Sequence, residues 1–332
     1  MEELFLLLAF NLLLVLCAFV ILRVRDFFPL IILLNVCSVI LVIIYVLLGA
    51  VDVAFTEAVV GASISTIFFM MLVTRIRTSG LRPEVSRRRI PSALVALAVG
   101  LVLLKGVNAL PSFGDPDSVM QQHVSAQYVE NSMHDMHTPN VVTAILADYR
   151  GFDTLIETTV IFAAALACLL ILGGFWRMGV REEPRHHVFD SVILCTIVRP
   201  LAMGTQLYAV YVLLHGHYSP GGGFQGGVLL AASFILPTLL DNPTLRYPRL
   251  SKGGAIFLAA IGVLIYASFT AFPLLNGHAL LDYAALPLTW LDIPHRRSLG
   301  ILGIETGVML AVTGAIVSIY YSLKAEKETE LS

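Results

Sequence analysis

The sequence predicts an all-α fold, a polytopic membrane protein of about nine transmembrane helices, and three observations predict it. Of 332 residues, 57% are hydrophobic and only 13% are charged, about half the charged share of a soluble domain. The mean hydropathy is +0.84. Apolar runs long enough to cross a hydrocarbon core of roughly 30 Å recur along nearly the whole chain.

The first run, 3–22, follows Met1-Glu2-Glu3 without a basic leader or a small-residue cleavage site, so it reads as a retained span. Spans 27–48 and 53–74 follow across very short turns. Spans 90–110 and 152–175 flank a polar loop at 111–139, and 191–214, 226–240, 253–275 and 298–321 complete the set. The run at 226–240 is too short to cross squarely and starts on glycines. It reads as a half-length or tilted helix held by a glycine loop. Charged linkers at 79–89 and 177–190 divide the chain into 1–78, 79–176 and 177–332, with three, two and four spans.

Sixteen of the 21 lysines and arginines then fall on one side, against Arg296 and Arg297 on the other. The positive-inside rule places the N-terminus outside and the C-terminus in the cytoplasm. Lys105, Arg150 and Arg199 remain within or at the ends of spans.

Several function classes find no support. There is no basic patch for nucleic acid, no Walker loop and no Ser/His/Asp or Cys/His arrangement, so neither an enzyme nor a bound cofactor is expected. Cys17, Cys37, Cys168 and Cys195 lie inside apolar runs without CxxC spacing and read as small buried hydrophobes. Gly221-x-Gly223-x-x-Gly226 matches a dinucleotide fingerprint but lacks the strand that would give it meaning. His123, His134, Asp135 and His137 form no closed ligand set and read as a solvated loop rather than a metal site.

Chemistry is sought where charge sits in apolar sequence, because an ionisable side chain at the centre of a span costs roughly 2.5–3.5 kcal/mol on insertion scales. Glu57 lies among the small residues Ala54, Ala58, Gly61, Ala62 and Ser65; Glu157 follows Asp148, Arg150 and Asp153. A carboxylate whose affinity for protons is raised by burial can take up and release one. Glu305 lies deeper in its span and serves either ion handling or helix packing. Lys105 belongs to the same layer or snorkels to headgroups. Arg199, before Pro200, serves either transport or structure. His215 and His217 bracket the glycine element, where they either relay protons or cap its backbone. The expected ion-translocation set is therefore Glu57, Lys105, Asp153, Glu157, Arg199, His215, His217 and Glu305.

The run Val198-Arg199-Pro200-Leu201, followed by Leu213-Leu214-His215-Gly216-His217-Tyr218-Ser219-Pro220-Gly221-Gly222-Gly223-Phe224-Gln225-Gly226-Gly227, closely resembles the MnhB/MrpB component of the Mrp-type multisubunit sodium/proton antiporters. Asp52 to Gly61 is similar to the MbhD-like part at the C-terminal end of the large A-type component of those complexes. Asn140 to Glu157 is similar to the MbhE-like part that follows it. The resemblance implies a fusion of the tail of the A-type component with MnhB, in a prokaryotic inner membrane. It implies Na+ and H+ as transported ions, with the large proton-pumping subunit, and small membrane subunits, as partners. Related modules occur in hydrogenase-type complexes, and the first two parts resemble a complex I subunit whose helix can adopt a π-bulge. By resemblance Glu57 and Glu157 match acidic positions implicated in ion translocation. Pro220 and Phe224 match the MnhB motif with its glycines Gly221, Gly222, Gly223, Gly226 and Gly227. Ile156 departs from the glycine expected before Glu157.

Overall fold

The computed structural model describes residues 2–75, 89–112, 114–119, 121–176, 192–240 and 250–324. Among them are helices and turns but no strand. The linker residues 79–88 and 177–190 and the tail beyond Lys324 lie outside the described residues.

The helices are α1 (Glu2–Ile21), α2 (Phe27–Leu47), α3 (Val51–Val59), α4 (Ser65–Arg75), α5 (Arg89–Val107), α6 (Ala126–Met136), α7 (Val141–Ala144), α8 (Gly151–Trp176), α9 (Val192–His215), α10 (Gly223–Leu239), α11 (Lys252–Leu275) and α12 (Ile293–Leu323). Among the described residues seven helical segments are long and apolar enough to cross a membrane, and Pro91–Val107 and Gly223–Leu239 are apolar but shorter. The chain is thus an all-α polytopic membrane protein. It forms two compact units. One takes in 1–75 and 131–332; the other, 76–130, carries α5.

Two π-helical turns interrupt the first unit, Val60–Ile64 between α3 and α4 and Ile145–Tyr149 between α7 and α8. A π turn releases carbonyls from the regular ladder, and those need donors in an apolar medium. Asn35 Nδ2 on α2 donates to Ala62 O at 2.5 Å and to Thr66 Oγ1 at 2.8 Å. At the second turn Thr154 Oγ1 donates to Leu146 O at 2.7 Å and Tyr283 Oη to Ala147 O at 3.2 Å.

Helix α12 is the axis of this unit. Its 31 residues span about 46 Å at 1.5 Å per residue, more than a hydrocarbon core of roughly 30 Å. It starts five residues before the expected 298 because Asp292 caps it, accepting from the His295 amide at 3.1 Å, and Pro294 opens the first turn. Arg296 and Arg297 therefore belong to a helix, not to the loop in which the charge asymmetry counted them. Glycines let α10 and α11 close on opposite sides of α12. A Cβ on Gly227 would lie 2.8 Å from Met309 O, and one on Gly307 2.8 Å from Gly262 O.

Two further expectations change. Helix α10 begins at Gly223, not 226. The segment expected as a polar loop at 111–139 contains α6, which buries Ser132 and Met136 and leaves Val129 and Met133 among its exposed residues.

Candidate functional site

The glycine element is where the three parts of the chain meet. From α3, Asp52 Oδ1 accepts from the Gly221 amide at 3.3 Å and from Asn140 Nδ2 at 3.4 Å. Asn140 caps α7, its Oδ1 accepting from Val142 N at 3.0 Å, while its Nδ2 also donates to Gly216 O at 3.1 Å and Ser219 O at 3.0 Å. Thr143 Oγ1 donates to Gly216 O at 2.8 Å, and the Asn140 amide to His217 O at 3.0 Å. Gln225 Nε2 reaches back to Thr56 Oγ1 at 2.9 Å.

Glu305 closes the site from α12. It is only 9% exposed. Gly222, at φ +129, has a conformation that L side chains rarely adopt, and a Cβ there would lie 2.9 Å from Glu305 Oε1 and 3.5 Å from Gln225 Oε1. Glu305 Oε2 is buried and accepts no hydrogen bond from any described residue. Two carboxylates, Asp52 and Glu305, thus flank the adjacent buried glycines Gly221 and Gly222. An ionised carboxylate with a bare oxygen is costly in such a place, so the arrangement favours a proton or a cation there.

The two histidines separate. His217 is buried, and its Nε2 lies 3.1 Å from Ser298 O. Burial lowers its affinity for protons below the ordinary imidazole value, against the pull of that carbonyl. It is therefore neutral at pH 7 and donates to Ser298. His215 instead stacks on Tyr211, ring centroids 4.8 Å apart. Among the motif residues, Gly221, Gly222, Gly223, Gly226 and Gly227 are buried, Phe224 is half-buried and Pro220 is exposed.

A second cluster lies beside the second π turn. Arg297 donates to both oxygens of Asp148, at 2.9 and 2.5 Å, and stands 3.6 Å from Asp135. Tyr149 Oη donates to Asp135 at 2.8 Å. Burial raises the Asp135 carboxyl's pKa, but the bonds from Tyr149 and His134 and the charge of Arg297 outweigh it and hold the group below its ordinary value. Asp135, expected in a solvated loop, is instead part of this ion-paired cluster.

The remaining candidates do not join either cluster. Glu57 is half-buried, its carboxyl lying across Gly61 beside Ser38 just before the first π turn. Asp153 is exposed and pairs with Arg150 at 2.5 Å. Glu157, Arg199 and Lys105 are exposed on the surface of the chain. Ile156 is 50% exposed.

Comparison with known proteins places this geometry. Residues 193–318 match the model of a domain related to the MnhB subunit of Na+/H+ antiporters. A putative antiporter subunit mnhB2 from Staphylococcus aureus (strain MRSA252) is 30% identical over 134 residues, 40% of this chain and 94% of that protein. The chain belongs to the MnhB family. Ahead of the MnhB part, residues 12–78 match the MbhD model and 87–179 the MbhE model, both named for subunits of MBH. A probable K(+)/H(+) antiporter A/B subunit from Rhizobium meliloti (strain 1021) is 27% identical over 84% of this chain, which spans 30% of that protein's length. A chain of the Mrp complex from Dietzia sp. DQ12-45-1b matches 98% of this one at TM-score 0.76 and 26% identity, over 35% of its own length. A chain of the membrane-bound sulfane sulfur reductase, an archaeal respiratory membrane complex, matches 72% of this one at TM-score 0.57 and 27% identity, over 99% of its length.

Gln225, which stands within the glycine element read from sequence, and Asp52, Thr56, Asn140 and Thr143, which were not assigned to it from sequence, complete the MnhB glycine site. The available signal was polarity: each is a hydrogen-bonding side chain at or beside an apolar run.

Proposed function

We propose that this MnhB-family chain is a membrane subunit of a multisubunit monovalent cation/proton antiporter, a transporter component rather than an enzyme. Asp52, Glu305 and the glycine loop would form an ion-handling point on the Na+ or H+ route. The observation that carries the reading is Glu305 Oε2, buried and without a donor among the described residues. The names of the relatives support the activity, and the likeness to an Mrp complex supports other antiporter subunits as partners. Glu57 and Glu157, beside π turns or open on the chain's surface, would pass ions to or from those neighbours. The parts 1–78 and 79–176 would correspond to the MbhD-like and MbhE-like tail of the large antiporter component, and 177–332 to MnhB. The N-terminus would face outward and the C-terminus the cytoplasm, which puts the glycine loop near the outer face.

The test is Glu305→Gln in the assembled complex, with cation-dependent proton release followed in everted vesicles. A silent but fully assembled complex is the expected result; wild-type antiport overturns the reading. A second reading, a structural connector, is favoured by the Asn140 bonds that tie the parts together. Under it, the same variant dissociates on native gels. The likeness to the sulfane sulfur reductase leaves a place in a redox-driven membrane arm as the alternative setting.

A further inference from the structure

Outside the glycine site, His137, Asp292 and His295 present ligand atoms within 4.8 Å of one another, and all three side chains are exposed. They come from two segments more than 150 residues apart in sequence, brought together by the fold. We infer that they form a site for a transition-metal dication of the zinc class, joining the end of α6 to the start of α12.

Two imidazoles and one carboxylate make the donor set of an open zinc site, in which water takes the fourth position. Calcium and magnesium prefer oxygen ligands and are poorly served here. With metal–nitrogen bonds of roughly 2.0–2.1 Å, tetrahedral ligand atoms stand about 3.4 Å apart. The present spread brackets that figure. His295 Nδ1 and Asp292 Oδ1 are hydrogen-bonded at 2.5 Å, and the His137 and His295 rings are 4.9 Å apart between centroids. Small rotations of exposed side chains close the set. Asp292 can turn one oxygen to a metal and leave the other at the cap of α12.

The backbone adds an independent observation. His137 follows the last residue of α6 and adopts φ +50, in the left-handed region. That position belongs by preference to glycine, and sometimes asparagine, because a Cβ is strained there. Histidine is among the side chains that tolerate it, and the turn sets the His137 ring 4.9 Å from that of His295. The consequences reach the interior. Asn140, which holds Asp52 and the glycine loop, lies three residues after His137, and Arg297, which pairs with Asp148, lies two after His295. A bound metal would brace both clusters from the surface.

The experiment uses the purified complex containing the full chain, stripped of metal and titrated with Co2+ and then Zn2+. One Co2+ per chain, with the visible absorption of tetrahedral cobalt and displacement by Zn2+, is expected. His137→Gly should weaken binding at least tenfold while leaving the complex assembled, since glycine suits the left-handed backbone. His295→Gln should do the same, because the cap of α12 uses the backbone amide of that residue. Unchanged cobalt binding in both variants, or no stoichiometric binding in the parent, overturns the inference. Antiport activity plays no part in the readout, so the outcome is independent of the role given to Glu305.

Discussion

Glu305 and Glu157 are both carboxylates on long apolar helices, yet their surroundings within the chain are opposite. Glu305 is 9% exposed, lies against Gly222, and has one oxygen without a donor among the described residues. Glu157 lies open on the surface of α8. An ionised carboxylate facing lipid is costly. The difference teaches that the chain handles charge in two ways. It encloses one acid within its own fold and leaves another, Glu157, open on the face of α8. Helix α1 buries none of its residues.

The sharpest way to break this contrast is to open the enclosed site. A Cβ on Gly223 would overlap the backbone carbonyl of Glu305, which no side-chain rotation relieves. Gly223→Ala should cost at least about 3 kcal/mol, the upper range for overpacking. The expected outcome is loss of the chain from the membrane complex on native gels, whereas Glu157→Ala leaves its amount unchanged.

The next effect concerns the ion pair at the second π turn. Arg297→Ala leaves Asp148, 8% exposed, without its partner, and breaking a buried pair from one side costs roughly 3–5 kcal/mol. Asp148→Asn combined with Arg297→Gln removes both charges and should recover most of that loss. Thermal unfolding of the solubilised complex measures both, and a double variant no better than the single one would mean the charges act independently.

Acid sensitivity gives a smaller and more graded signal. The Asp135 pKa is depressed in the folded chain. Its contribution is therefore fully present above the ordinary carboxylate value and is lost as pH falls through the depressed one. Asp135→Asn should lower stability at neutral pH and leave it little changed well below about pH 4, so the acid limb of the stability curve flattens. Melting curves across that range decide it.

The sequence carried the architecture further than the site. Apolar runs placed the long helices to within a few residues, because hydropathy and span length are local properties. The short glycine-started helix α10 was legible for the same reason. The early start of α12 was not, since Asp292, Pro294 and two arginines look like loop until the cap is seen. Asp52 and Asn140 were not joined to the glycine element because their partners there lie 76 to 169 residues away. No periodicity encodes such pairs. Glu305 was visible as a charge in the wrong solvent, but its neighbours were not.

The smallest effect sharpens the comparison at the surface, where His137 holds a strained backbone in the open. Without metal, His137→Gly relieves a left-handed conformation and should raise stability by about 1 kcal/mol or slightly less, offset by the lost contact with His295. With Zn2+ at a hundred times the parent's dissociation constant, the parent gains about 2.7 kcal/mol, and a variant that binds tenfold more weakly gains at most about 1.4. The order of the two melting temperatures should therefore reverse on adding metal. A strained residue kept for packing alone would give the same order in both conditions, so the crossing, rather than either value, separates a ligand from a spacer.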